Sequence, residues 1–344
     1  MNEQSQGFTP FAATVPSADF KDRSTGLVVF GILTILVGGV CALFVPLMLI
    51  GQLASGRATG MPLNFSMIVP GISLYGILAV ALVWLGIGSI MARRWARALL
   101  LIFSWSWLAM GVVMLVVMAF VMPSALRDVS ASEAGAGHPA MPEGMIPFMM
   151  AFMLGFFAVF FVIVPGVFAF FYGSRHVKAT CEARYPWTCW TDACPLPVLA
   201  ASLWLMAAMP MMLIMALAGQ VVMPFFGEFL TGMPAAGICV ALAAVYGYGA
   251  WAMYKLKRHG WWLVVIVLCG YLASSLLTFA RHDVMEMYRL MCLPEAQIQQ
   301  LQNFSFISGG GIIWIMVLCT LPWFGYLIYI ERFFRSRPQA VESR

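Results

Sequence analysis

Eight stretches of this chain, near 27–51, 68–91, 98–122, 146–173, 196–223, 234–254, 261–280 and 308–330, contain no Asp, Glu, Lys, Arg or His. Each is long enough to cross about 30 Å of hydrocarbon as a helix. Lipid offers no partner to an open backbone amide, so a spanning segment must satisfy its own hydrogen bonds, and the alternation expected of a barrel strand is absent. The composition agrees: with 62% hydrophobic and 10% charged residues, most side chains require lipid as their solvent. The predicted fold is all-α, a polytopic integral membrane protein with eight transmembrane helices.

Lys and Arg set the orientation. With the N-terminus inside, most of the 19 basic residues fall on the cytoplasmic side, among them Arg93, Arg94, Arg97, Lys255, Lys257, Arg258, Arg332 and Arg335. Both termini are therefore expected in the cytoplasm of a bacterial-type inner (plasma) membrane. The pI of about 8.8 follows from this bias. The expected partners are anionic lipid headgroups and a membrane protein, not nucleic acid. Trp95, Trp187, Trp190, Trp261 and Trp262 fit an interfacial belt. The stretch before Leu27 has no apolar core, so the first span is expected to insert uncleaved.

A set of landmarks occurs twice in the same order. Pro46-Leu47-Met48-Leu49-Ile50 returns as Pro210-Met211-Met212-Leu213-Ile214, and Thr59-Gly60-Met61-Pro62 as Thr231-Gly232-Met233-Pro234. Trp95 returns as Trp261, Asp128-Val129 as Asp283-Val284, Pro142-Glu143 as Pro294-Glu295, and Pro165 with Tyr172 as Pro322 with Tyr329. Collinear matches of this kind predict a duplicated unit. Four spans per unit is an even number, so the two repeats are parallel-related, by a pseudo-twofold axis along the membrane normal. The expected divisions are an N-terminal arm 1–26, a first four-helix repeat 27–173, a cytoplasmic linker 174–195, a second repeat 196–330 and a basic tail 331–344. Pro46, Pro165, Pro210 and Pro322 fall inside spans and are expected to kink them. Loops 123–145 and 281–307 are expected outside as caps, with short helices at Asp283–Met291 and after Pro294.

The membrane interior is chemically sparse. Ion-coupled pumps use an ionisable group near the midplane, haem bundles use facing histidines, and membrane proteases use a buried base or ligand set. None of these is visible, and an enzyme is disfavoured; no cofactor is predicted. Cys181, Cys189 and Cys194, with His176, form a candidate thiolate metal site, although their spacing is looser than a Cys-x-x-Cys pair and incidental thiols are the commoner case. His138, and His282 with Met285, Met287 and Met291, are candidate soft ligands for copper(I); methionine as apolar gap-filler outweighs that reading. The acids Asp128, Glu143, Asp283, Glu286 and Glu295 give the outer side a negative balance, mainly through capping and avoidance of external positive charge. Gln52, its counterpart Gln220, Tyr246, Tyr248, Ser274 and Ser275 are candidates to line a pathway, although hydroxyls usually bond back to their own helix. The leading expectation is a non-catalytic scaffold or subunit of a membrane complex. The alternative is an uncoupled or partner-driven permease with its path between the halves, and the third reading is copper(I) handling.

Overall fold

The computed structural model describes residues 21–59, 65–135, 145–219, 221–291, 298 and 311–335. Eight helical spans in it are long and apolar enough to cross a membrane. They are built from α1 (Ser24–Thr59), α2 (Phe65–Ile90), α3 (Arg94–Gly135), α4 (Met145–Ala158) with α5 (Val164–Gly173), α7 (Leu196–Ala218), α8 (Gly232–Tyr254), α9 (Arg258–Arg281) and α11 (Gly311–Arg335). Shorter elements join them: α6 (Arg175–Arg184), a 3-10 turn at Trp190–Asp192, a hairpin of β1 (Val222–Phe225) and β2 (Glu228–Thr231), and α10 (Val284–Leu290). Large apolar side chains such as Leu43, Phe120, Phe148, Phe170 and Leu217 stand on the outer surface. Water would penalise that exposure, whereas lipid does not.

Local chemistry sets the helix ends. Asp22 accepts from both the backbone N–H and the hydroxyl of Ser24, each at 3.0 Å, and opens α1. Those bonds hold the Asp22 carboxyl below its ordinary range. Ser174 leaves the helical conformation, accepts from the His176 N–H at 3.3 Å, and so divides α5 from α6.

Sequential helices pack as neighbours, and the order is the same in both halves: α1 on α2, α2 on α3, α3 on α4 and α5; then α7 on α8, α8 on α9, α9 on α11. Gly31 and Gly86 let α1 and α2 touch backbone to backbone. A Cβ on either would lie within 3 Å of the other's carbonyl oxygen. One buried cluster gathers Leu27, Leu85, Leu100, Phe168, Tyr172 and Val177; another gathers Val198, Leu199, Met253, Trp261 and Ile330. Ile102 of α3 belongs to the second cluster, and Trp204 of α7 donates to the Ser106 hydroxyl at 2.8 Å, so α3 and α7 join the halves.

The turns α2–α3 and α8–α9 are built alike. In the first, Ala92 takes φ +52°, its N–H reaches Ser89 O at 2.9 Å, and the Arg93 N–H reaches Gly88 O at 2.9 Å. In the second, Leu256 takes φ +56°, its N–H reaches Met253 O at 2.8 Å, and the Lys257 N–H reaches Ala252 O at 2.9 Å. Both are Schellman caps with a left-handed non-glycine residue. Residue for residue they are 164 apart, the separation of Pro46 from Pro210. This register sets Arg94 opposite Arg258 and Trp95 opposite His259, whereas the sequence landmarks set Trp95 opposite Trp261. A helix crossing follows each turn. A Cβ on Gly88 would meet the Ala96 Cβ at 2.6 Å, and a Cβ on Gly260 would meet the Ala252 Cβ at 2.6 Å. The small residue has changed sides while the crossing has kept one glycine and one alanine.

Several elements differ from expectation. The span expected to end at residue 223 stops at Ala218, where Gly219 turns left-handed (φ +77°), and the following residues form the hairpin. Its two-residue turn, Phe226-Gly227, has positive φ at both positions, the twist that matches paired strands. Helix α3 runs through Pro123 to Gly135, and Ala125, Leu126 and Arg127 just beyond the proline are good helix formers. Pro46, Pro210 and Pro322 lie inside helices α1, α7 and α11, the placement expected of them. At Pro165 the helix widens into a π turn at Val159–Ile163. Proline there removes the donor that would meet the Phe161 carbonyl, and that oxygen lies where a Cβ on Gly111 would be 1.9 Å away. Helix α10 lies within the expected Asp283–Met291 segment; the segment directly after Pro294 falls outside the described residues.

Candidate functional site

Charged side chains collect at the ends of the spans, in two places. The first is the basic face, where Arg93, Arg94 and Arg97 meet the linker. The Arg94 guanidinium lies 3.5 Å from Glu182 and 3.4 Å from Asp192 and donates to the carbonyls of Pro186 and Trp187. Its side chain is only 18% exposed, so α6 and the 3-10 turn wrap it and exclude much of the screening water. Arg93 lies over the Tyr185 ring at 4.5 Å, and the Arg23 N–H donates to Thr180 Oγ1 at 3.2 Å. The linker is thereby fixed to α1 and α3.

The three linker cysteines have different surroundings. Cys181 is buried with Tyr172 and Val177 in the first core cluster, and Cys194 with Val198 in the second. Cys189 precedes the 3-10 turn, its N–H bonded to Asp192 Oδ2 at 3.0 Å. Burial pushes the Cys181 thiol up to about 11, with Arg97 acting in the opposite direction. A thiol in that condition is a poor nucleophile and ligand near neutral pH.

The second place is the opposite face, around the hairpin. The Ser274 hydroxyl donates to Pro224 O at 3.0 Å and accepts from the Phe226 N–H at 2.9 Å. The Thr278 hydroxyl accepts from the Gly227 N–H at 3.0 Å and donates to Ser274 O at 2.9 Å. Two hydroxyls one helical turn apart on α9 thus satisfy the backbone of the hairpin end. Beside them His282 Nδ1 lies 2.8 Å from Glu286 Oε2, and Nε2 lies 3.7 Å from Glu228 Oε2. The bond to Glu286 raises the His282 pKa, and partial burial opposes the rise. The two ring nitrogens point to different carboxylates. Met285 is buried with Val284 and Ile298, while Met287 and Met291 are half-buried; His138 lies outside the described residues. Among the described residues no three His, Cys, Asp or Glu side chains are grouped to hold a metal ion.

The remaining pathway candidates are dispersed. Gln52 is exposed on α1, and Gln220 lies outside the described residues. Tyr246 is half-buried; Tyr248 is exposed and its hydroxyl is 3.0 Å from His259 Nε2. Ser275 is buried and its hydroxyl has no partner among the described residues. Several contacts escaped the sequence reading. Ser89 donates to Leu27 O at 3.0 Å and lies 2.8 Å from the Tyr172 hydroxyl, which must therefore be the donor to Ser89. Ser202 donates to Ala250 O at 2.7 Å, and the Trp261 indole to Leu327 O at 2.9 Å. The only sequence signal for them is a lone polar atom in an apolar run, which does not say which backbone it will meet.

The eight long apolar helices are consistent with a multi-pass α-helical membrane protein. No protein-family model, curated protein or solved structure matches the chain.

Proposed function

We propose that the protein is a non-catalytic scaffold or subunit of a membrane complex, seated in a bacterial-type inner membrane with both termini in the cytoplasm. The observation that carries this reading is the position of charge. Every Asp, Glu, Lys, Arg and His within the eight described spans sits in a terminal turn or close to it. Polar groups near the same span ends, Ser89 with Tyr172 and Ser274 with Thr278, satisfy the protein's own backbone and one another. A pump needs a charged group that the driving ion can reach, and the interiors of the described spans hold no Asp, Glu, Lys, Arg or His to supply it.

The scaffold is two four-helix repeats related by an axis along the membrane normal. The matched turns at Ala92 and Leu256, in the same register as Pro46 and Pro210, support the duplication. Reconstitution tests the functional reading. The purified chain in liposomes should neither move ions and small solutes nor turn over a substrate. Solute flux that is lost in Gln52→Leu with Gln220→Leu would replace this reading with a permease. Stoichiometric copper after anaerobic loading with Cu(I) would replace it with metal handling.

A further inference from the structure

The two basic turns are alike in backbone and unlike in what covers them. At the first, the chain's own linker brings Glu182 and Asp192 to Arg94. At the second, Lys255, Lys257 and Arg258 are exposed, and no described carboxylate lies within ion-pair distance of them. Lys257 lies over the Trp251 ring at 4.4 Å and Lys255 over the Tyr254 ring at 5.9 Å, which positions the ammonium groups without neutralising them. The described acids of this face are already engaged: Glu182 and Asp192 with Arg94, Glu331 with Arg335 at 2.7 Å, and Asp22 with Ser24. The linker passes close by, since the Tyr254 hydroxyl donates to Trp190 O at 3.0 Å, yet both its carboxylates are directed to Arg94.

We propose that the turn Lys255–Arg258 receives an acidic segment of a partner membrane protein, in the way that the turn Met91–Arg94 receives the linker. The proposal rests on the subunit reading and names the chemistry of the partner: a short helix or turn that presents at least two carboxylates at the membrane surface. Anionic headgroups also meet exposed basic residues. The matched turn favours a polypeptide, because its guanidinium is enclosed by two carboxylates and two carbonyls from a single folded segment.

The test uses the full chain in its host membranes, with a photo-crosslinking amino acid at position 257 and, separately, at position 94. The expected result is a discrete polypeptide adduct at 257, with the crosslinked peptide rich in Asp and Glu, and an internal adduct to the linker at 94. The same polypeptide should co-purify with the wild-type chain. Its yield should fall about tenfold or more when Lys255→Gln, Lys257→Gln and Arg258→Gln are combined, because interfacial charge pairs lost together cost at least that in affinity. The single Lys257→Gln should give a smaller loss and serves if the triple variant fails to fold. A polypeptide that stays bound to the neutralised chain would overturn the assignment of this turn and leave the subunit reading intact. Phospholipid adducts alone at 257 would overturn it in favour of headgroups. A wild-type chain with no polypeptide partner would remove both readings.

Discussion

Arg94 and Arg258 follow equivalent left-handed residues, and their surroundings differ by two carboxylates. Removing the first guanidinium takes from Glu182 and Asp192 the partner they share, leaving Glu182 with Lys178 at 3.8 Å and Asp192 with the Cys189 N–H at 3.0 Å. Arg94→Ala is therefore expected to destabilise the linker by about 1.5–3 kcal/mol, the range for hydrogen bonds to a charged group. Limited proteolysis within 174–195 should accelerate accordingly. Ala92 is buried and left-handed, a conformation that costs an L-residue about 1–2 kcal/mol. Ala92→Gly should raise the thermal midpoint, because glycine relieves that strain; a lowered midpoint would mean that the Ala92 methyl contributes more by packing. His282 supplies a pH dependence. Its folded pKa is raised above the ordinary 6.5 by Glu286 and Glu228, so its stabilisation is full below that value and is lost as pH rises through the folded pKa. Amide exchange in the hairpin, corrected for the intrinsic rate, should lose protection over that interval, and His282→Gln should remove the dependence.

At the scale of elements, the crossing after each basic turn gives a sharper test. Gly260→Ala forces two Cβ atoms to 2.6 Å, and overpacking of this kind costs about 1–3 kcal/mol. Combining it with Ala252→Gly recreates the Gly88–Ala96 arrangement of the first half and should restore most of the loss in thermal unfolding. Failure of the double variant to recover would mean that the two crossings are alike only in outline. Gly111→Ala should be more damaging, since no side chain fits against the Phe161 carbonyl unless the π turn moves.

The same scale shows what the sequence made legible. Spans such as α2 and α9 are readable because lipid demands a continuous apolar run ending in charge, as Arg93-Arg94 and Lys257-Arg258 do. The hairpin is not readable in that way: Val222 to Phe225 are as apolar as the helix before them, and its hold depends on Ser274 and Thr278 about 50 residues away. The Arg94–Glu182 pair, 88 residues apart, depends on how α6 folds back under α3. Local pattern cannot supply such contacts. For the same reason Cys181, Cys189 and Cys194 look like one cluster in sequence, although Cys181 and Cys194 belong to separate cores.

At the scale of the molecule, eight spans with charge confined to their ends form a framework whose polar groups are largely spent on its own backbone. On the proposed scaffold reading such a framework acts through what it holds, and the uncovered basic turn is where a held partner would be felt most strongly. The direct measurement is a native mass spectrum of the chain gently solubilised from its own host membranes. A discrete co-purifying polypeptide in fixed stoichiometry is the result expected of a scaffold or subunit. The bare chain, or the chain with only a small molecule or a metal ion, would contradict it.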